Sequence, residues 1–332
     1  MKTNTKKKIF LLVKLALGLL VLFFVVRQID APALIERFRR ANLTWFGLAS
    51  LATSLGICAN AIRWNSITEH LQPAIGIRTA LIGYFEGMFF NQVLPTGVGG
   101  DAVRGLRAYD VGLSAGLATL SVILDRAYGL LSVALIVVTA ALFQLSAIGD
   151  TPIFSTLIVV SGCIVFGAAA SVVLGAMITP ERMPTWIRPI AWTAKGFSTC
   201  TLTLSPIFKI AVMLIVSNSL NVLTVVLCAK SVAVPLGFWT CVILTQALTL
   251  AAILPVSVGG WGVREGIAIL LLAPVGIGST DAAAISVMFG VVLTVNALLG
   301  AIVWGFNDYQ RFGPSSTLPS VAITPDVSEL SR

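Results

Sequence analysis

The chain has 332 residues, 57% of them hydrophobic and only 11% charged, with a mean hydropathy of +0.96. Soluble globular chains are about 25% charged, so the composition excludes a soluble domain, and the low charge excludes disorder for the bulk of the chain. The net charge of +8 is too thinly supplied to build a broad basic face. Basic cytoplasmic loops of a polytopic membrane protein account for its sign, and no nucleic-acid partner is expected.

A bilayer core about 30 Å thick needs about 20 apolar helical residues to cross it. The basic start MKTNTKKKIF has the look of a signal peptide, but no small-residue cleavage site follows Val26. Residues 9–26 therefore read as a retained first helix. Lys2, Lys6, Lys7 and Lys8 place the N-terminus on the cytoplasmic side of the cell membrane. The segment 27–42 would then lie outside, although it holds Arg27, Arg37, Arg39 and Arg40. Leu34, Ile35 and Phe38 share a face, which suggests an amphipathic interfacial helix. Strong spans follow at 43–62, 113–143, 153–178, 207–230 and 281–306.

Two weaker segments, 79–95 and 238–255, each end in Leu-Pro and a glycine-rich run, and a short apolar piece, 266–275, follows the second. The polar segment 63–78 opens with Arg63-Trp64, read as an interfacial anchor, and contains the only histidine, His70, read as a loop or interfacial residue. A single histidine excludes His-rich metal sites, and no acidic metal-binding cluster is visible, so no metal or cofactor is expected. Cys58, Cys163, Cys200, Cys228 and Cys241 form no C-x-x-C pair and read as small hydrophobes.

Loop charge orients these segments. The loop 144–152 has Asp150 and no Lys or Arg, so it faces outside; 179–209 carries Arg182, Arg188, Lys195 and Lys209, so it faces the cytoplasm. Both loops fall on the favoured side if 79–95 enters the membrane and turns back, which is allowed where protein or a wet cavity covers the backbone. The expected fold is an all-α polytopic membrane protein. It has about six to eight transmembrane helices plus two re-entrant or broken helices, in one membrane domain over 1–306. A polar tail, 307–332, reads as disordered.

The chain repeats itself. Residues 94–104 read LPTGVGGDAVR and residues 254–264 read LPVSVGGWGVR, matching at seven of eleven positions with an offset of 160. Half-repeats run roughly over 43–143 and 207–306. Pro95 and Pro255 remove a donor and stop a helix. Gly99-Gly100 and Gly259-Gly260 permit positive φ and close approach, and both pairs precede an expected helix start, where free N–H groups favour an anion. Arg104 and Arg264 then stand in the first turn, each a cationic fork suited to phosphate. Paired broken helices in two halves point to a transporter site. If 238–255 also re-enters, from outside, the halves are inverted; parallel repeats with every segment crossing are the alternative.

Few charges lie inside apolar stretches, where they usually face a cavity or a partner. Asp125-Arg126 sit near the centre of 113–143; adjacent helical positions point about 100° apart, so they need not pair with each other. Arg126 could meet a phosphate while Asp125 anchors another Arg, and an interhelix ion pair is the competing reading. Asp101 and Arg104 are spaced to pair locally. Glu265 could neutralise a neighbouring Arg. Asn91 and Gln92, near Glu86, read as satisfying the broken backbone, and Lys230, Asn218, Asn221, Gln246 and Asn296 as packing residues.

The runs NQVLPTGVGGDAVRGLRAY (91–109), LDRAYGL (124–130) and LPVSVGGWGVREG (254–266) resemble the membrane region of lysylphosphatidylglycerol synthases, which also occurs alone in flippase-like membrane proteins. The resemblance runs from the first helix to about residue 306. It implies a bacterial or archaeal membrane protein that moves an anionic phospholipid or a lipid-linked sugar, served by a separately encoded lipid synthase or glycosyltransferase. It does not imply lysyl transfer, because the soluble synthase domain has no counterpart here. The family pattern falls on Asn91, Pro95, Gly99, Gly100, Asp101 and Arg104, on Asp125 and Arg126, and on Pro255, Gly259, Gly260, Gly262, Arg264 and Glu265. A membrane-embedded transferase using Asp101 or Glu265 as base, and a scaffold for a lipid-modifying enzyme, are the rival readings.

Overall fold

A computed structural model of the protein describes residues 30–71, 74–94, 98–144, 152–253 and 260–308. The expected first helix 9–26, Pro95, Pro255, Gly259, Asp150 and the tail beyond 308 lie outside the described residues. Among the described residues the elements are all helical. In chain order they are α1 (Ala31–Arg39), α2 (Leu43–Leu71), α3 (Ile77–Val93), α4 (Gly99–Asp110), α5 (Ala115–Gln144), α6 (Pro152–Met177), α7 (Arg188–Leu202), α8 (Leu204–Ser231), α9 (Phe238–Ile253), α10 (Val263–Leu272) and α11 (Ser279–Asp308). Five of these, α2, α5, α6, α8 and α11, are long and apolar enough to cross a membrane. The protein is an all-α, multi-pass membrane protein.

The two weak segments form helices of 17 and 16 residues, α3 and α9. At 1.5 Å per residue each covers only about 24–26 Å, short of the bilayer core. Each is followed by a break and a second short helix, α4 or α10. Between the breaks, α5 to α8 pack in sequence, and α6 is the least buried of the five spans, with 6% of its apolar window buried.

Some boundaries depart from expectation. Helix α2 runs through the polar segment to Leu71, so Arg63 and Trp64 are buried inside the helix rather than anchors at its end, and His70 is helical. Helix α7 occupies part of the basic loop 179–209, where no helix is expected from the sequence. Helix α1 confirms the amphipathic segment but not its shared face: Leu34 and Phe38 pack on the core, while Ile35 is exposed. It starts at Asp30, whose side chain accepts from the Ala33 N–H, and Arg37 ties it to Asp281 of α11 at 2.7 Å.

The core divides in two. One cluster gathers α8 to α11 with the first turns of α2 and the end of α5, around Leu244, Leu248, Leu272 and Ile285. The other gathers the second half of α2 with α3, α4, α5 and α7, around Trp64, Leu124 and Tyr128. Helices α2 and α8 run through both. Polar ties hold them in the apolar interior: Thr53 meets Thr224 at 3.2 Å, and Asn296 of α11 accepts from Ser54 at 2.6 Å and donates to Ser50 at 3.1 Å.

Backbones approach closely at glycines. A Cβ on Gly300 of α11 would collide with the Phe85 carbonyl of α3, and one on Gly100 of α4 would collide with the Gly87 carbonyl of α3. The first contact seats the second half of the chain on the first. It is flanked by Phe89, whose ring stacks on Trp304 with centroids 6.1 Å apart.

Candidate functional site

Helical spacing brings the polar residues of the first half to one place. On α2, Asn60, Arg63 and Trp64 stand at i, i+3 and i+4; on α3, Tyr84, Gly87 and Asn91 stand at i, i+3 and i+7. Each set is a single helical face. Helix α4 adds Asp101 and Arg104, and α5 adds Asp125 and Arg126. These faces converge on a cavity of about 430 Å³, whose far wall is α8, α9 and α11 through Asn218, Asn221, Thr249 and Leu293. The size lies within the range of about 300–1,000 Å³ usual for small-molecule sites. The cavity lies where the two halves meet.

The charges form one network. Asp125, 1% exposed, accepts from Arg63 Nε at 2.8 Å through Oδ1, and from Arg104 Nη2 at 2.5 Å through Oδ2. The Tyr84 hydroxyl also donates to Oδ2. Arg63 donates further to Asn60 at 2.8 Å and to the Tyr84 hydroxyl at 3.2 Å. Asp101 lies 3.5 Å from Arg104 Nη1 and 2.7 Å from Arg126 Nε. The Arg104 guanidinium lies 4.6 Å from the Trp64 ring centre and 4.0 Å from that of Tyr84. Such a clamp fixes a cation that a water-filled site would otherwise leave mobile. Beside the network, Arg107 makes a two-pronged pair with the fully buried Glu86, at 2.7 and 2.6 Å. Among its lining residues, the cavity carries three arginines and two aspartates, leaving one positive charge in excess.

The glycine motif works differently in its two copies. Gly99 and Gly100 are the first residues of α4 rather than a linker before it, and neither has positive φ. Gly100 is needed for close approach to Gly87, and its N–H is taken by Asn91 Oδ1 at 2.9 Å. Arg104 consequently falls in the second turn of α4, not the first. In the second copy the helix starts only at Val263, so Arg264 does stand in the first turn. Here Gly260 and Gly262 have φ of +79° and +85°, the left-handed region open to glycine. The same string of residues thus serves a packing contact once and a backbone turn once.

The sequence-selected residues do not all meet. Asn91, Asp101, Arg104, Asp125, Arg126 and Gly260 line the cavity; Arg264 and Glu265 do not. Arg264 is 1% exposed, lies over Trp261 at 4.9 Å, and among the described residues finds no hydrogen-bond partner for Nε, Nη1 or Nη2. Glu265 does not pair with it: its carboxylate takes the Gly262 N–H and the Ser286 hydroxyl. Arg126 pairs with Asp101 rather than its neighbour Asp125. Arg63, Tyr84, Asn60, Asn218 and Asn221 are cavity residues that the sequence reading left outside the site. The spacing of Asn60 and Arg63, i and i+3 in an otherwise apolar run, is the signal that could have found two of them. Among the described residues no group of three His, Cys, Asp or Glu side chains is placed to hold a metal ion.

The family model for the lysylphosphatidylglycerol synthase TM region matches residues 11–300 of the chain. No curated protein matches the chain.

Proposed function

The chain belongs to the lysylphosphatidylglycerol synthase TM region family, and from that premise we propose that it moves a phosphate-bearing lipid, an anionic phospholipid or a polyprenyl-linked one, across the bilayer. The observation that carries this reading is the cavity between the two halves, with its excess of one guanidinium over carboxylate. The headgroup phosphate sits at Arg104 and Arg126 while the tails stay among the helices. Asp101 and Asp125 hold the guanidiniums apart and in place, so the site is pre-formed and loses little entropy on binding. The broken helices α3–α4 and α9–α10 re-enter the membrane from opposite faces, and movement of helices about the cavity exposes it alternately. The N-terminus and the basic segment 179–209 lie on the cytoplasmic side. A separately encoded lipid synthase or glycosyltransferase supplies the lipid.

A transferase reading needs a carboxylate free to take a proton. Asp101 is held by two arginines, and Glu265 by a backbone N–H and a hydroxyl. That geometry favours transport over chemistry.

Reconstitution into liposomes with headgroup-labelled lipids tests the proposal. The expected result is transbilayer movement with no chemical change in the lipid. Arg104→Ala and Arg126→Ala, which remove the two guanidiniums placed at the phosphate, should each abolish it. Full activity in both variants, or a modified lipid product without added enzyme, removes the proposal.

A further inference from the structure

The carboxylates in and beside the cavity decide which headgroups it tolerates. Both oxygens of Asp125 are occupied, by Arg63 on one side and by Arg104 and Tyr84 on the other. Both oxygens of Asp101 face arginines, Arg104 and Arg126. Glu86, behind the network, gives both oxygens to Arg107. Residues 1–29, 95–97 and 254–259 contain no Asp or Glu in their sequence, and the carboxylates outside the described residues are Asp150, Asp326 and Glu329. Among the described residues lining the cavity, every carboxylate is already neutralised by a guanidinium of the same wall.

The uncharged lining is of the opposite kind. Asn218 and Asn221 spend their amide nitrogens on the protein, on Ser132 and Leu214 and on Thr249. Among the described residues no bond is made to their carbonyl oxygens, which leaves each an acceptor on a residue that lines the cavity. Gln92 and Thr249 add further neutral groups. The cavity therefore pairs one spare positive charge with neutral amide and hydroxyl groups.

We infer that the site selects a lipid phosphodiester carrying an uncharged, hydroxyl-bearing headgroup, a polyol or a sugar, and rejects aminoacylated headgroups. The inference rests on the transport reading for its purpose, not for its chemistry. A single phosphodiester charge cancels the excess positive charge of the lining, and the headgroup hydroxyls donate to the amide oxygens. An ammonium brought to the same place meets no free carboxylate. It can win one only by displacing an arginine, which would be left buried without a counter-charge, and breaking a buried pair in that way is strongly unfavourable. A lysyl-bearing phosphodiester, with two ammoniums against one phosphate, would raise the local excess from one positive charge to two.

The test uses the full-length protein in phosphatidylcholine nanodiscs, with binding read by native mass spectrometry and by thermal shift. The probes are phosphatidylglycerol, a polyprenyl phosphohexose and lysylphosphatidylglycerol. The expected result is that at least one of the first two binds about 10-fold or more tighter than the lysyl lipid; the tighter arm tells polyol from sugar. A lysyl lipid that binds as well as either, or no phosphodiester lipid binding above phosphatidylcholine, overturns the inference. Asn221→Asp places a carboxylate with no guanidinium partner opposite the arginines and should raise retention of the lysyl lipid about 10-fold; an Asn221→Asp protein that folds and shows no gain counts against the inference. The same discs exchanged for liposomes separate the two claims. Selective binding with no lipid crossing removes the transport reading and leaves the selectivity standing.

Discussion

Asp125 is held between three donors from three helices, and its chemistry follows from that. Arg63 reaches it from α2, Tyr84 from α3 and Arg104 from α4, while Asp125 itself belongs to α5. One carboxylate thereby fixes the relative position of four helices. Removing its charge leaves two buried guanidiniums short of a counter-ion, a loss of about 3–5 kcal/mol for a broken buried pair. Asp125→Asn should accordingly lower the Tm in detergent far more than Asp101→Asn, whose carboxylate is more exposed, at 17% against 2% for the side chain. Equal Tm values for the two variants would show that Asp125 is not the keystone of the network. Much of this was legible in the residues: an Asp-Arg pair in an apolar run and an Arg after a duplicated glycine motif are costly in lipid and so conspicuous. Arg63 was not, because an arginine beside a tryptophan looks the same whether it anchors at an interface or turns inward. Only the carboxylate 62 positions away decides.

At the scale of the element, the duplicated string makes two different structures. Leu-Pro with a pair of glycines announces a helix break in both copies, and α3 and α9 do end before it. What the string leaves open is where the next helix resumes. It resumes at Gly99 in the first copy and at Val263 in the second. The reason lies outside the motif: Gly87 in α3 gives Gly100 a backbone to pack on, and Asn91 satisfies its N–H, so the helix can begin on glycine. Gly100→Ala should destabilise the protein by about 1–3 kcal/mol, because the added methyl meets a carbonyl that cannot retreat. Gly105→Ala, in the same helix with nothing within 4 Å, should be neutral or stabilising by about 0.5–1 kcal/mol. Thermal unfolding of the pair checks the assignment, and a benign Gly100→Ala would mean that α4 is not seated on α3. Helix α7 escaped for the opposite reason. Its Arg188 and Lys195 were used to orient a loop, and its buried face, from Ala191 to Cys200, is too short to stand out among longer apolar runs.

At the scale of the whole molecule, composition and span length were enough for the membrane fold, since five helices of the required length and hydropathy leave few alternatives. The cavity was not legible there. It depends on α8 and α9 lying across from α2 to α5, and their contributions, Asn218, Asn221 and Thr249, are ordinary polar residues in apolar helices until the helices are placed. The glycine seat between α3 and α11 has a mechanical meaning. Gly300 brings one backbone against the other, and Phe89, Phe90 and Trp304 lock the contact from the side. Two helices in backbone contact cannot slide without breaking it. Helix α3 therefore travels with α11 as one rigid body, although the two come from opposite halves of the duplication. A motion that exposes the cavity would then divide the molecule along a line other than that of the duplication. A thiol cross-linker joining Phe89→Cys to Trp304→Cys, in a background lacking the five native cysteines, should leave lipid movement intact. Arrest on cross-linking, relieved by cleavage of the linker, would put a joint where the structure has a weld.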